Sequence, residues 1–399
     1  MGIYDELGVR PVINLCGTLT RLGGGPLHPD VTAAMADAAR RSVPIEELQQ
    51  AAGRELAAAT GAEAGYVTAG AAAGLALGAA ACIAGLDVAA MDRLPDTTGL
   101  RDEIVIQRSH LTAYTHALRL PGARLVEVGY LGYPGGGICW PWQVEAAITE
   151  RTAALAWSVD NDPGAVSLEE TVAIAHRHGL PVIVDAAAAL PPRENLRRFV
   201  AAGADLVTFS GGKAIGGPQA SGVLVGRADL IESVALQHQD MDVYPETWTW
   251  RGRYLETGRL PGPPHHGLGR PMKVGKEEIA GLVVALRRFL ARDLAAERRE
   301  QERQLATIVG ALEGLPGVTS RLLDAPEQSY PLALVHLDTA VIGRPVAAVI
   351  NELLDSEPRI AMGQGAMREG ALSLNPATLQ PGEETVVAAR LREVLGGRR

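Results

Sequence analysis

Lysine is almost missing from this 399-residue chain. Of its 37 basic residues only Lys213, Lys273 and Lys276 are lysines, which leaves 34 arginines. A guanidinium stays protonated and cannot form an imine, so chemistry that needs a nucleophilic amine has three places to reside. Cysteine is equally scarce: Cys16, Cys82 and Cys139 are odd in number, far apart and in no Cys-x-x-Cys pair. That excludes a disulfide scaffold and a cysteine-based zinc site, and it fits a reducing cytoplasm. Aromatic residues make up 4%, which argues against an aromatic-rich binding surface. Surplus positive charge is lacking too. With a net charge of −9, nothing is available to neutralise phosphates, so a non-specific nucleic-acid binder is excluded.

Signals for membranes and nucleotides are missing as well. Residues 64–91 carry one charge, Asp87, and reach the length of a membrane span, but they are mostly Ala and Gly without a Leu/Ile/Phe-rich centre. A small-residue helix packed inside a domain is expected there. The first ten residues are charged and lack an apolar signal core, so a cytoplasmic protein is expected. No Gly-x-Gly-x-x-Gly or Walker A pattern occurs, which disfavours a nucleotide-binding dehydrogenase. His265, His266 and His238 lack metal-ligand spacing, and no metal is expected. What the chain does have is 47% hydrophobic residues and 46 glycines, enough for a full core in two to three domains with many tight turns.

Residues 1–50 read as an irregular arm broken by Pro11, Gly23-Gly24-Gly25-Pro26 and Pro44. A helix is predicted over Glu46–Thr60, stopped by Gly61. Then come Tyr66-Val67-Thr68, a Gly/Ala turn and an uncharged helix to about Gly85. From 100 to 230 the short apolar runs Glu103–Ile106, Arg124–Val128, Ala153–Trp157, Pro181–Val184 and Asp205–Phe209 alternate with helical segments such as Ser167–Arg177 and Arg193–Ala202. This alternation predicts an α/β fold with a mostly parallel sheet covered on both faces. One long amphipathic segment is expected from Glu277 to about Glu313. A small α+β unit follows, with Pro331–Leu337, Val346–Leu354, Ala371–Leu374 and a last helix from Glu383. The expected division is an arm over 1–50, a large α/β domain over 51–275, and a connecting helix with a small C-terminal domain over 276–399.

The chemistry gathers at three places. In Asp205–Pro218 (DLVTFSGGKAIGGP) a buried strand runs through Ser210 into a glycine-flanked loop with Lys213 at its mouth. Ligands of open α/β sheets bind at the carboxyl ends of strands, and an amine desolvated there becomes a nucleophile. Asp185 directly follows the run Pro181–Val184. A carboxylate at that depth calls for a partner, and the ring nitrogen of pyridoxal 5′-phosphate (PLP) would suit it. In Thr68-Ala69-Gly70-Ala71-Ala72-Ala73-Gly74 a strand turns through Gly70 into a helix whose free N–H groups would hold a phosphate. The bland alternatives are a surface lysine, a helix-capping or metal-ligating aspartate and an alanine-rich core helix. The three features in this chain order match PLP enzymes of fold type I, and His110 falls where these enzymes commonly place a ring on the cofactor.

Three longer blocks sharpen the match: Asp185–Pro192 (DAAAALPP), Ser210–Gly222 (SGGKAIGGPQASG) and Gly269–Glu278 (GRPMKVGKEE). Asn14, Gly17-Thr18, Leu22-Gly23, Glu47-Leu48 and Gln239-Asp240-Met241-Asp242 fit the same pattern. Nearly the whole chain resembles the selenocysteine synthase-like group of fold-type I enzymes, most of all its D-glucosaminate-6-phosphate ammonia-lyase branch. The extra N-terminal RNA-binding domain of selenocysteine synthase has no counterpart here, so an amino acid substrate and no nucleic-acid partner are expected.

The resemblance implies a fold-type I architecture with PLP bound to Lys213 as an imine and Asp185 at the ring nitrogen. Thr68, Gly70, Ala71, Ala72, His110 and Ser210 would contribute to the cofactor site. It sets Lys273 and Lys276 near an interdomain or intersubunit surface, as runners-up for the imine. Arg270 would reach the cofactor phosphate or an anionic substrate, and Arg368, with Arg359 as second choice, would take the substrate carboxylate. A homodimer or larger homo-oligomer is implied, because fold-type I sites usually draw on two subunits. The expected reaction is a β-elimination of the ammonia-lyase or dehydratase type. A racemase or epimerase and a β-replacement transferase remain open on the same carbanion, and retention of both Lys213 and Asp185 speaks against a non-enzymatic binding protein.

Overall fold

The computed structural model describes residues 2–133, 136–159, 163–239, 242–323 and 329–396. Its backbone divides into two units, Leu27–Leu290 and Met1–Pro26 with Ala291–Arg399. In the first, seven strands form one sheet: β1 (Ala64–Thr68), β2 (Glu103–Gln107), β3 (Arg124–Val128), β4 (Thr152–Ser158), β5 (Val182–Asp185), β6 (Leu206–Ser210) and β7 (Gly222–Gly226). Their order is β1-β7-β6-β5-β4-β2-β3. Only β7 runs against its neighbours, so β1 to β6 end on one edge of the sheet. Val182, Ile183 and Val184 of β5 and Leu206, Val207 and Phe209 of β6 are buried, as strands covered on both faces must be.

Five helices serve the argument below: α1 (Ile45–Thr60), α2 (Ala71–Ala84), α3 (Leu168–Arg177), α4 (Ala228–His238) and α5 (Lys276–Ala291). Helix α1 stops where Gly61 takes a left-handed φ of 78°. The polar start of α3 is fixed by Ser167, whose side chain accepts from the Glu170 N–H. Helix α2 carries no charge because it lies inside the unit, with Leu77, Ala79 and Ala80 wholly buried. Its small residues allow a close approach to the sheet. A Cβ on Gly74 would stand 2.5 Å from Thr208 Oγ1, and one on Gly78 would stand 3.2 Å from a Leu206 methyl. The uncharged stretch of span length is thus a strand plus a core helix. Among the described residues no helix is long and apolar enough to cross a membrane.

The second unit joins both ends of the chain. Val12–Leu15 pairs in parallel with Arg359–Met362, and an antiparallel sheet has the order Val318–Leu322, Ala333–Leu337, Ala371–Leu374. Helices Leu294–Ala311, Val346–Asp355 and Glu383–Gly396 belong to the same unit, whose core includes Leu305, Val335, Leu353 and Leu391.

Two expectations differ from the structure, and two further elements lie outside what the sequence signals. Residues 1–50, expected as one irregular arm, divide at Pro26, contain a strand and carry a helix over Pro29–Ala38. Likewise, the long segment expected from Glu277 is two helices. The second restarts at Asp293, whose carboxylate accepts from the Ala296 N–H and competes with helix continuation. Strand β7 has no helical crossover before it and therefore enters the sheet antiparallel. Finally, Tyr130–Tyr133 and Gly136–Ile138 form a hairpin that no alternation pattern signals in the sequence.

Gly222 opens β7 where its backbone crosses the turn after β1. A Cβ there would meet Gly70 C at 2.5 Å and Thr68 Oγ1 at 2.7 Å, and the backbone atoms cannot swing aside. Gly222→Ala is expected to destabilise this unit by about 1–3 kcal/mol. A thermal melt should show the midpoint falling by several degrees, and an unchanged midpoint would contradict the crossing.

Candidate active site

Asp185 is the last residue of β5, and register places it between Ser158 at the end of β4 and Thr208 of β6. Its Oδ1 accepts the Ala187 N–H at 3.0 Å, the bond that turns the chain after the strand. It forms no direct ion pair with a described residue. Burial pushes the carboxyl above the ordinary carboxylate range, opposed by the Ala187 N–H and by the charge of Lys213.

Lys213 lies three residues past the end of β6, on a turn that its own backbone locks. Gly216 N–H donates to Lys213 O (2.9 Å), Gly217 N–H to Gly211 O (2.8 Å) and Gly211 N–H to Ser221 O (2.9 Å). Gly211 is needed because a Cβ would run into the Ser221 hydroxyl, and Gly212 because one would stand 2.7 Å from Gln219 Cα. The half-buried Lys213 amine hydrogen-bonds to no described residue. Burial lowers its pKa, and Asp185 pulls it back up. The two groups are therefore close enough to act on each other's titration, though 28 residues separate them in sequence. Ser210 stands at the strand end, paired with Gly222.

The turn after β1 leads into the N-terminus of α2. Gly70 adopts a φ of 131°, and no side chain caps the helix, so the first N–H groups, Ala71 and Ala72 included, are left to an outside acceptor. Nothing lies within 4 Å of the point where a Gly70 Cβ would be. Ala72 is exposed and Ala71 partly so. Thr68 faces inward instead. Its residue is fully buried, and its hydroxyl donates to Gly70 O at 2.8 Å and shapes the turn.

His110 closes the short helix after β2 and is 1% exposed. Its ring stands edge-on to Trp157 at 5.2 Å, and its Nδ1 lies 3.4 Å from the Ser158 N–H. His110, Ser158 and Asp185 face one cavity walled by Leu75, Ile106 and Trp157. Ser158, Thr208 and Gln107 are absent from the residues that the sequence singles out. Ser158 is legible as the polar end of an apolar run, and Thr208 as the polar residue in the middle of one. Gln107 is not, since its amide holds Val166 by both N–H and C=O across 59 residues.

Among the expected anion binders, Arg270 is committed to Asp242 (2.9 Å) and to the His265 carbonyl (3.4 Å). Lys276 pairs with Glu277, while Lys273 is exposed. In the other unit, Arg368 is exposed on the short turn Met367–Glu369 and pairs with no described residue. Arg359 Nε is buried without a hydrogen-bond partner at the start of its strand. Asp240 and Met241 of the matched block lie outside the described residues. No group of three or more His, Cys, Asp or Glu that could hold a metal occurs among the described residues.

These residues fit the cofactor that the resemblance implies. Among the described residues, an uncapped helix N-terminus with open space over Gly70 suits a phosphate, a partly buried carboxylate lacking a direct cation suits a pyridine nitrogen, and an amine of lowered pKa suits an aldehyde.

Comparison with known proteins agrees. A family profile described as L-seryl-tRNA selenium transferase (SelA) matches residues 12–241. The chain is 37% identical to a 5′-C-glycyluridine monooxygenase-decarboxylase from Streptomyces sp, covering 98% of this chain and 92% of that one. It is 34% identical to the D-glucosaminate-6-phosphate ammonia lyase of Salmonella typhimurium, covering 98% and 97%. A solved structure of D-glucosaminate-6-phosphate ammonia-lyase superposes with a TM-score of 0.81 at 33% identity, covering 99% and 98%.

The coupling of the two groups has a testable sign. Asp185 supplies the one influence that raises the Lys213 pKa. In cofactor-free Asp185→Asn the pH midpoint of Lys213 labelling by an amine reagent, read by peptide mapping, should move to lower pH. A midpoint that stays put would show that the carboxylate and the amine do not interact.

Proposed function

The chain belongs to the L-seryl-tRNA selenium transferase (SelA) family of PLP-dependent, fold-type I enzymes, and on that premise we propose a β-elimination from a β-hydroxy amino acid through Lys213 and Asp185. The observation that supports it most is the placement of a partly buried carboxylate at the end of β5 and of a half-buried amine three residues past the end of neighbouring β6, with His110 lining the same cavity as Asp185. When bound, PLP supplies an electron sink for negative charge at the substrate's Cα.

The protein's own part divides among a few groups. The Ala71 and Ala72 N–H groups would hold the phosphate, and Ser210 would border the site. Asp185 would keep a proton on the ring nitrogen, which its partial burial and its lack of a direct cation among the described residues favour. His110 would pack against the cofactor ring. Lys213 Nζ would hold the cofactor's aldehyde and, once free, would take the Cα proton as general base. The resulting ammonium would return that proton to the departing Cβ hydroxyl, so that water is lost, and uptake of one water by the enamine product would give a keto acid and ammonia. Arg368 would bind the substrate carboxylate, its guanidinium being uncommitted among the described residues; Arg270, already paired with Asp242, suits a supporting role at the cofactor's anionic end.

The two relatives at 37% and 34% identity are named for compounds in which an amino group or amino acid is joined to a sugar skeleton. We extend that class to this protein: an α-amino acid whose side chain is a polyhydroxylated, sugar-derived chain. The three free cysteines fit a cytoplasmic enzyme, and the proposal includes a homodimer or larger assembly.

Lys213→Ala should abolish the absorbance near ~420 nm and its loss on borohydride treatment, and should lower ammonia release by about 10²–10⁴-fold. Retention of both would sink the assignment. Arg368→Ala should raise KM at least about tenfold and leave the ~420 nm band intact. In deuterated water, keto acid plus ammonia marks elimination, whereas Cα exchange with an intact skeleton marks racemisation and overturns the proposed reaction.

A further inference from the structure

Helix α2 has an indexing problem. It is built from Ala and Gly with few projecting side chains, so ridges and grooves fix its position along its own axis poorly. Yet its first N–H groups must stand at a defined place if they are to hold a phosphate. Something else has to stop it from sliding.

The polar contacts of α4 supply a stop at two levels. At the far end, Ser233 of α4 donates its hydroxyl to the carbonyl of Gly85, the residue that ends α2, and Gln237 Nε2 donates in turn to Ser233 Oγ at 3.1 Å. Nearer the middle, the segment Gly267–Met272 crosses the end of α4 in backbone contact. Gly269 N–H donates to Gln237 O at 2.9 Å, and a Cβ on Gly267 would collide with that same carbonyl. A Cβ on Gly269 would stand 2.7 Å from both His238 Cα and the side chain of Leu77 on α2. The crossing is therefore a wedge between α4 and α2.

One buried hydrogen-bonded chain holds that wedge in place. His238 Nε2 lies 2.8 Å from Met272 O, and His238 Nδ1 lies 2.8 Å from Tyr66 OH. A carbonyl can only accept, so Nε2 carries the proton and Nδ1 accepts from the tyrosine. Tyr66 is 3% and His238 7% exposed, and their rings meet edge-on at 5.3 Å. Tyr66 belongs to β1, the strand that runs two residues later into Thr68 and the Gly70 turn. The chain thus ties together the strand before the turn and the wedge against the helix after it. Burial keeps the imidazole below its ordinary pKa, in line with a neutral ring.

We infer that Tyr66–His238–Met272 is a pin that sets where α2 stops, making His238 a positioning residue for the cofactor's phosphate, an inference that rests on the α2 turn being the phosphate site. His238 touches neither cofactor nor substrate in this assignment. It acts through the N–H groups of Ala71 and Ala72.

The test compares PLP with pyridoxal, which lacks the phosphate, by equilibrium titration of each cofactor-free protein at ~420 nm. In His238→Ala, PLP affinity should fall about tenfold, the scale of one hydrogen bond, with pyridoxal affinity changed less than about twofold. His238→Gln, which can still donate to Met272 O, should recover most of the loss. Tyr66→Phe keeps the ring and its packing and should show a smaller loss of the same kind, and the double variant with His238→Ala should be no worse than His238→Ala alone. Equal losses for both ligands, an unchanged PLP affinity, or additive losses would overturn the pin. A wild-type protein that binds pyridoxal as tightly as PLP would instead overturn the phosphate assignment on which the pin depends.

Discussion

Holding a carboxylate and an amine out of water at the same edge of a sheet is costly, because burial opposes the charged form of each. In Asp185 and Lys213 the two penalties are softened by each group's charge acting on the other, and neither forms a direct ion pair with a described residue. The surroundings follow from that constraint. Parallel strands bring β5 and β6 to the edge together, and a self-bonded glycine turn carries the amine just beyond it. His110 and Trp157 wall the space alongside. In the role proposed for Asp185, an ion pair at full contact would leave the carboxylate unavailable to a ring nitrogen.

The residues carrying chemistry are legible in the sequence because each departs from its local background. Lys213 is conspicuous in a chain with three lysines, and Asp185 is conspicuous at the end of an apolar run. The strand-turn-helix of 64–84 is legible from Gly70 and the loss of all charge. Harder to see is everything that depends on partners distant in sequence. Val12–Leu15 is a strand only because Arg359–Met362 lies beside it, and four residues in an arm full of breakers carry no period of their own. The break at Asp293 stays hidden because amphipathic periodicity continues across it, while the capping carboxylate acts on a single backbone N–H. Thr68, a candidate ligand by its position, spends its hydroxyl on Gly70 O, a local bond that composition cannot distinguish from an outward-facing one.

Helix α2 shows how one choice of residue serves two ends. Alanine and glycine let the helix lie close on β6, with Gly74 against Thr208, which brings its N-terminus to the edge where β5 and β6 end. The same choice removes the bulky side chains that would register it. Polar contacts from α4, Thr208 and the Gly267–Met272 crossing do that work instead. In a chain with few aromatic residues, the burial of a tyrosine against a histidine next to this helix is a considerable commitment.

The pairing of Val12–Leu15 with Arg359–Met362 also bears on how the protein is made. Residues 27–290 hold a complete sheet and can consolidate while translation continues. The first strand cannot, because its neighbour emerges 347 residues later (359 minus 12). At ~5–20 residues per second, the leading peptide stays unpaired for roughly 17–70 s on the ribosome. Val12, Ile13 and Leu15 are therefore exposed to chaperones and proteases throughout synthesis, and the order of assembly is centre first, both ends last.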